Sequence, residues 1–201
     1  MALLSLPNLA WVALSDNPFL FKQSASVYDD ISLLHILKDP ILDDTAKGEI
    51  LGTGASGTTH KKAYRGAHVA VKTYVGKITS DGNPEEERKI SLLASSLGCD
   101  SLITVMGQTA KGALVMEYLE DYSALSNPPS MKSCTRDIYP ESSKLTSDEA
   151  MIMILSLLDA LAKLHKRGIC HGDFYGHNIL IPRDRGGKKK MKLSDFGAAF
   201  M

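Results

Sequence analysis

The chain has 201 residues, of which 44% are hydrophobic, and it carries 23 Lys and Arg against 23 Asp and Glu. A chain of this length buries roughly 70% of the surface that its unfolded form exposes, which predicts one domain, or one domain plus a fragment. The balanced charge excludes a global field that would draw the protein to nucleic acid or to an anionic membrane.

The cysteine content and the hydropathy pattern bear on where the protein works. Cys99, Cys134 and Cys170 are odd in number and lack metal-ligand spacing, which predicts free thiols in a reducing compartment. No apolar run reaches the roughly 18–20 residues needed to cross a bilayer. Residues 1–14 are apolar but follow no basic residue, which disfavours a signal peptide. We expect a cytoplasmic protein without a membrane segment.

The first 45 residues differ in pattern from the rest. Residues 1–20 space leucines and other apolar residues before Asn17, as one leucine-rich repeat does. One repeat cannot bury its own face. The segment is therefore either a terminal repeat or a coincidental apolar strand and turn. Residues 21–45 are interpreted as a polar linker.

Short glycine-broken strands and one helix are predicted between residues 46 and 119. Asn83 followed by Pro84 and acidic residues is typical of a helix start, and this helix should run to about Leu97. In the strand that contains Lys72, alternation places Ala70 and Lys72 on one face and the valines on the other. The predicted strands are Glu49–Leu51, Thr58–Tyr64, His68–Tyr74, Leu102–Met106 and Ala113–Tyr118.

A long helix dominates the prediction for the remainder. Residues 120–145 show no periodicity and are expected to be a loop or insertion. Thr146-x-x-Glu149 is a capping box, and Gly168 ends the helix that follows. The expected apolar stripe of this helix consists of Ala150, Ile154, Leu157, Leu158, Leu161 and Leu164. Beyond the helix, residues 179–181 and 191–193 are expected to pair as a hairpin.

Four motifs stand in one order along the chain. The glycine loop permits close approach of backbone amides to a polyphosphate, and the strand that follows it, rather than a helix, argues against a dinucleotide fold. A cation in an apolar strand needs a charged partner. The motifs are Gly52-x-Gly54-x-x-Gly57, Val69-Ala70-Val71-Lys72, His171-Gly172-Asp173 with Asn178, and Asp195-Phe196-Gly197.

This set of motifs resembles the signature of protein kinases of the Ser/Thr type. Taken together with the N-terminal segment, it resembles a leucine-rich-repeat protein kinase. The resemblance covers residues 46–201 and implies an α+β fold. Its N-lobe at 46–119 would be a complete five-stranded antiparallel sheet with one helix, and 120–201 would be a partial helical C-lobe. The chain stops four residues after Gly197. We therefore expect a truncated kinase domain whose residues 1–201 alone transfer little phosphate to protein.

The resemblance implies Mg²⁺-dependent transfer of the ATP γ-phosphoryl group to a protein hydroxyl. Asp173 would receive the hydroxyl proton, and Lys72 would contact phosphate while paired with Glu87, which is chosen over Glu86 from its distance to the next strand. Asn178 and Asp195 would hold the metal. The nucleotide-binding residues would be Gly52, Gly54, Gly57, Ala70, Lys72, Met116, Glu117 and Leu119.

Departures from the family pattern leave the substrate open. Thr59 replaces a valine that packs on adenine, and Gly172 replaces the arginine that pairs with a phosphorylated activation loop. Tyr175 and His177 match neither Ser/Thr nor tyrosine kinases. His-Gly-Asp also resembles small-molecule phosphotransferases of the kinase-like superfamily. A non-catalytic pseudokinase or scaffold is the other alternative.

Overall fold

The computed structural model describes residues 36–44, 46–54, 56–76, 82–134, 136–184 and 190–201. The predicted leucine-rich repeat at residues 1–20 lies outside these ranges and stays a prediction. Elements of the described ranges are named in chain order. They are β1 (Ile36–Leu37), α1 (Pro40–Asp43), β2 (Glu49–Thr53), β3 (Gly57–Tyr64), β4 (Ala67–Tyr74), α2 (Pro84–Ser95), β5 (Val105–Thr109), β6 (Leu114–Glu117), β7 (Tyr122–Ala124), α3 (Ser147–Lys166), β8 (Ile179–Pro182) and β9 (Lys192–Leu193).

A six-stranded sheet forms the first half of the fold, in the order β1-β5-β6-β4-β3-β2. The five antiparallel strands and the α+β class expected from sequence are confirmed, but the strand predicted at Leu102–Met106 lies three residues later, at Val105–Thr109. The prediction missed β1, which pairs parallel with β5 inside the segment interpreted as a linker. Two residues are too few to show a strand period, so this pairing depends on burial: Leu37 is 6% exposed and Leu42 of α1 is fully buried.

Lys62 fastens α1 to the sheet. Its ammonium donates to the carbonyl oxygens of Ile41 at 3.3 Å, Leu42 at 2.9 Å and Asp44 at 2.6 Å. These carbonyls lie at the C-terminal end of a four-residue helix, where carbonyls lack helical partners and a cation is favourable. A side chain on β3 thus supplies the cap that a single helical turn cannot supply for itself.

The helix predicted after Asn83 begins where expected. The Asn83 side chain accepts from the Glu85 amide at 2.9 Å, and Pro84 occupies the first turn. The helix ends at Ser95, two residues before the predicted Leu97. Ile90, Leu93 and Ala94 are buried. One face of α2 therefore packs into the core, while the acidic first turn carries the side chains discussed below.

A second, three-stranded sheet has the order β7-β8-β9. The predicted hairpin of β8 and β9 is confirmed. The stretch 120–145 was expected to be irregular, but Tyr122–Ala124 forms β7 and pairs antiparallel with β8. Three residues show no alternation, so β7 is stabilised by its partner strand rather than by a local pattern. This pairing brings the chain that leaves the first sheet beside the turn that contains Asn178.

The long helix α3 begins with the predicted capping box, since Thr146 and Glu149 bond reciprocally. Its buried residues are Leu157, Ala160 and Leu164. The predicted stripe is only partly correct, because Ile154 and Leu158 are 48% and 56% exposed. No described part of the chain covers that side of the helix. Among the described helices, none is long and apolar enough to span a membrane.

We expect Gly57→Ala to destabilise the sheet. A Cβ at Gly57 would lie 1.9 Å from the Thr73 carbonyl oxygen of β4, and backbone cannot yield as a flexible side chain can. Overpacking of this kind costs about 1–3 kcal/mol. Thermal unfolding of the unliganded protein should show a drop of several degrees, whereas Gly52→Ala and Gly54→Ala, which meet nothing within 4 Å, should differ little from wild type. Equal losses in all three variants would contradict this account.

Candidate active site

Strand β4 places the Lys72 side chain inside the cleft between the two sheets. Val69 and Val71 turn into the core, at 2% and 0% exposure, as the alternation predicted. Ala70 and Lys72 occupy the opposite face, and both line a cleft of about 640 Å³. The strand thus uses its valines for packing and keeps its cation for the cleft.

Lys72 is held by two carboxylates from distant parts of the chain. Its Nζ lies 2.7 Å from Glu87 Oε1 on α2 and 3.0 Å from Asp195 Oδ1 after β9. The side chains of Lys72 and Glu87 are 9% and 4% exposed, so this pair is buried. Glu86 is exposed. The carboxylate that pairs with Lys72 is therefore Glu87, the one chosen from the sequence.

The electrostatics favour a charged lysine at this position. Burial by itself lowers the pKa of Lys72, but Asp195 and Glu87 outweigh it and raise the pKa above the usual value. Partial desolvation raises the pKa of Asp195, yet Lys72 and the Gly197 amide bring it below its ordinary value. The Asp195 side chain keeps 45% of its surface exposed. A negative ligand entering the cleft would meet an ammonium already aimed by two carboxylates.

The loop after α3 brings Asp173 and Asn178 together. Asn178 Nδ2 donates to Asp173 Oδ2 at 2.8 Å and to the Asp173 carbonyl at 2.9 Å. The Asn178 carbonyl accepts from the amide and the hydroxyl of Ser194, at 2.9 and 3.0 Å. Since Ser194 precedes Asp195, these bonds connect the two expected metal ligands. Asp195 itself has φ 58°, an uncommon conformation for a residue other than glycine, and such strain clusters at functional sites.

His171 is a buried support of this loop. Its Nε2–H donates to the Ser194 carbonyl at 3.1 Å, and its ring packs on Phe196 with centroids 4.9 Å apart. His171 is 3% exposed and Phe196 is 1% exposed. Burial lowers the pKa of His171, and the Ser194 carbonyl and nearby carboxylates oppose this only in part. The folded protein therefore contains a neutral imidazole here.

This burial predicts a loss of stability in mild acid. The unfolded chain binds a proton at His171 near pH 6.5, while the folded chain binds it only at lower pH, so stability falls as pH drops below about 6.5. Melting temperatures between pH 7.5 and 5.5 should therefore fall less in His171→Gln than in wild type. His165 is exposed, and His165→Gln should follow the wild-type profile. A His171→Gln profile identical to wild type would refute the assignment.

The glycine loop has two kinds of glycine. Gly52 and Gly54 have open space where a Cβ would stand, as expected of positions that a ligand approaches. Gly57 is different, because its missing side chain is required by contact with Thr73 rather than by the cleft. The Gly54 amide donates to the Gly57 carbonyl at 2.9 Å, which closes the turn between β2 and β3.

The segment after β6 presents backbone to the cleft. Glu117 uses its amide internally, donating to the Thr104 carbonyl at 2.9 Å. Its carboxylate pairs with Lys192 Nζ at 2.7 Å and accepts from the Thr104 amide at 2.7 Å. The Glu117 amide and carboxylate are therefore both engaged within the protein. Met116, Glu117 and Leu119 all line the cleft, as the sequence predicted.

Some cleft residues were missed by the sequence reasoning. Leu180 of β8 and Ile103 line the same cavity as Ala70. Leu180 pairs with Ala124 of the unpredicted β7 on one side and with Lys192 of β9 on the other, so both neighbouring strands position it. Ala70 belongs to the first sheet and Leu180 to the second, so each sheet contributes an apolar side chain to the cleft, which suits a flat aromatic ring. The apolar residue two positions after Asn178 was the available signal, but it was interpreted only as part of a hairpin.

The donor set suits a hard cation only in part. Within the described ranges, no three His, Cys, Asp or Glu side chains gather around one point. Asp195 and Asn178 offer one carboxylate and one amide oxygen, and Mg²⁺ is usually held by one or two carboxylates together with substrate phosphates. These residues fit Mg²⁺ provided that a nucleotide supplies the remaining oxygens.

Comparison with known proteins agrees with this geometry. A family model described as the protein kinase domain matches residues 45–201. The chain belongs to the protein kinase family, whose members are phosphotransferases. The protein kinase family and the α+β kinase fold predicted from the sequence are therefore confirmed.

Three relatives show how distant the similarity is. A serine/threonine-protein kinase, pakE, of Dictyostelium discoideum is 26% identical over 75% of this chain. A light-sensor protein kinase of Ceratodon purpureus is 29% identical over 73%, and mitogen-activated protein kinase kinase kinase 1a of Physcomitrium patens is 31% identical over 92%. The chain spans only 15%, 11% and 23% of these proteins respectively.

Proposed function

We propose that the protein binds ATP with Mg²⁺ in this cleft and transfers the γ-phosphoryl group to a protein hydroxyl, of Ser or Thr rather than Tyr. The observation that carries the proposal is the meeting of Lys72, Glu87 and Asp195 beside the Asp173–Asn178 pair. The relative pakE is named as a serine/threonine-protein kinase, which supports the acceptor class.

Each residue has a separate task in this proposal. Lys72 contacts phosphate oxygens, and Glu87 aims it. Asp173 orients the attacking hydroxyl and takes its proton, while Asn178 holds the Asp173 carboxylate at 2.8 Å. Asp195 and Asn178 would hold Mg²⁺, which supplies neutralisation of the phosphate charge when it is bound. Ala70, Met116, Glu117 and Leu119, with Leu180, would enclose adenine.

The glycine loop completes the proposed nucleotide site. Gly52 and Gly54 would let the backbone approach the phosphates. Gly57, at the start of β3, would support the loop by packing closely against Thr73 of β4. The balanced charge supports small anionic and protein partners over nucleic acid. A cytoplasmic location and an N-terminal leucine-rich repeat remain predictions.

The experiment that tests the proposal compares acceptors and nucleotides. Transfer from radiolabelled ATP should be measured to Ser/Thr peptides, to Tyr peptides and to hydroxylated small molecules such as aminosugars, with Asp173→Asn as control. Labelling of Ser/Thr peptides alone supports the proposal. Labelling of small molecules would favour the His-Gly-Asp alternative, and Mg-ATP binding without any transfer would favour a non-catalytic module.

A further inference from the structure

The segment 126–139, expected to be an irregular loop, holds the turn that contains Asn178. Asn127 and Ile138 form an antiparallel bridge, with N–H···O distances of 2.8 and 3.1 Å in the two directions. Ser126 and Asp137 precede the two bridged residues and lie diagonally on one face of the bridge, and the Ser126 hydroxyl donates to Asp137 Oδ2 at 2.8 Å. The pair forms a preassembled acceptor facing the catalytic loop.

Asp137 grips His177 at two points. Its Oδ1 lies 2.9 Å from His177 Nδ1, and its Oδ2 lies 3.3 Å from the His177 amide nitrogen, which donates to it. The Asp137 side chain is 5% exposed, and the His177 side chain is 18% exposed. Burial raises the pKa of Asp137, but the bonds from Ser126 and His177 outweigh this and lower it. The carboxylate is therefore charged and fully bonded.

His177 carries this grip to Asp173. Its Nε2 lies 3.5 Å from Asp173 Oδ2, which is longer than a good hydrogen bond and attracts the carboxylate only when the ring is protonated. The direct bond to this Oδ2 comes from the next residue, Asn178, at 2.8 Å, so the position of the turn sets the position of the Asp173 carboxylate. The Tyr175 ring stacks on His177 with centroids 5.7 Å apart and planes at 15°, which leaves the imidazole little freedom to rotate.

The turn must approach the segment 126–139 closely for this to work. A Cβ at Gly176 would lie 2.8 Å from both Ser126 Oγ and Tyr139 Oη. Position 172 is also glycine, with φ 76° and an ideal Cβ 2.0 Å from the Ala198 carbonyl oxygen. Gly172 therefore offers no side chain that could anchor the loop around Asp173. Among the described residues, Asp137 supplies a buried carboxylate contact to this loop, through His177.

We infer that Asp137 is a positioning residue for Asp173, acting through His177 and the turn 176–178. This inference rests on the proposed function, because Asp173 is taken there as the group that receives the acceptor proton. Removing this contact leaves Lys72 and Asp195 in place, since Asp137 touches neither of them, and it loosens only the turn that carries His177 and Asn178. It releases the Asp173 carboxylate, and small misplacements of a reacting group cost about 100-fold in rate.

The test combines amide hydrogen exchange with kinetics on the full chain. In Asp137→Ala, exchange of the His177 amide should accelerate at least about tenfold, and kcat should fall by about 100-fold with a much smaller rise in the KM for ATP, because Asn178 shares the released turn while Lys72 and Asp195 stay in place. Asp137→Asn retains an acceptor oxygen and should recover part of both. Asp148 is exposed in the first turn of α3, and Asp148→Asn should match wild type.

The outcomes separate this inference from the proposed function. Unchanged exchange at His177 in Asp137→Ala overturns the inference whether or not the protein transfers phosphate. A fall in kcat accompanied by an equal rise in the KM for ATP, without rescue by Asn, also overturns it, because that pattern reflects general loss of structure. If Asp137→Ala does not fold, Asp137→Asn and His177→Gln decide by the same two readouts. Absence of Mg-ATP binding by wild type counts against the proposed function, and exchange at the His177 amide tests the inference even where residues 1–201 transfer little phosphate.

Discussion

Lys72→Met should abolish the rise in melting temperature that Mg-ATP produces in the wild-type protein. At a ligand concentration about 100-fold above Kd, binding contributes about 2.7 kcal/mol, which corresponds to a rise of roughly 5–10 °C for a domain of this size. The rise requires neutralisation of phosphate charge in a partly dry cleft, and Lys72 is the ammonium that Glu87 and Asp195 aim there.

The variant should be read by its ligand response rather than by its own melting temperature. Removing one partner of a buried pair costs about 3–5 kcal/mol, and Glu87 can reduce that cost by taking up a proton. The unliganded variant will therefore melt lower than wild type. Lys89→Met is a matched control, since it removes a lysine of α2 that is 38% exposed and pairs with Glu85. A full Mg-ATP response in Lys72→Met would exclude Lys72 from the site.

The parts of the site that could be predicted share one property: each is set by a local pattern. Lys72 stands out as a cation among apolar strand residues, and Asn83-Pro84 fixes where α2 begins, although choosing Glu87 among the acidic residues of that helix took the family resemblance as well. The capping box of α3 worked for the same reason. In each case, neighbours within a few residues determine the structure.

The parts that could not be predicted depend on long-range pairing. Strand β1 has two residues, and its partner β5 begins at Val105. Asp137 lies in a stretch without periodicity, and its partner His177 is 40 residues further on. Gly57 was assigned to phosphate approach from the motif alone, and the local pattern did not reveal that a Cβ at this position would lie 1.9 Å from the Thr73 carbonyl oxygen. The exposed side of α3 shows the limit of periodicity, which identifies an apolar face but not whether anything covers it.

Asp195→Asn and Asp173→Asn should fail in different ways, because the proposal gives one carboxylate to the metal and the other to the hydroxyl. Asp195 pairs with Lys72 at 3.0 Å, and losing its charge removes the carboxylate that would hold Mg²⁺. We expect Asp195→Asn to weaken nucleotide binding in the presence of Mg²⁺ and to make it insensitive to the cation. Mg²⁺ without nucleotide should leave the melting temperature of wild type unchanged.

Asp173 is bonded to Asn178 rather than to Lys72, so Asp173→Asn should bind Mg-ATP nearly as wild type does while losing most turnover. Loss of a general base contributes typically 10²–10⁴-fold, and we expect a fall within that range. Calorimetric titration with Mg-ATP and single-turnover transfer, performed on both variants, give the two readouts separately. Equal loss of binding in the two variants would show that Asp173 and Asp195 act on the same part of the ligand, contrary to the roles proposed for them.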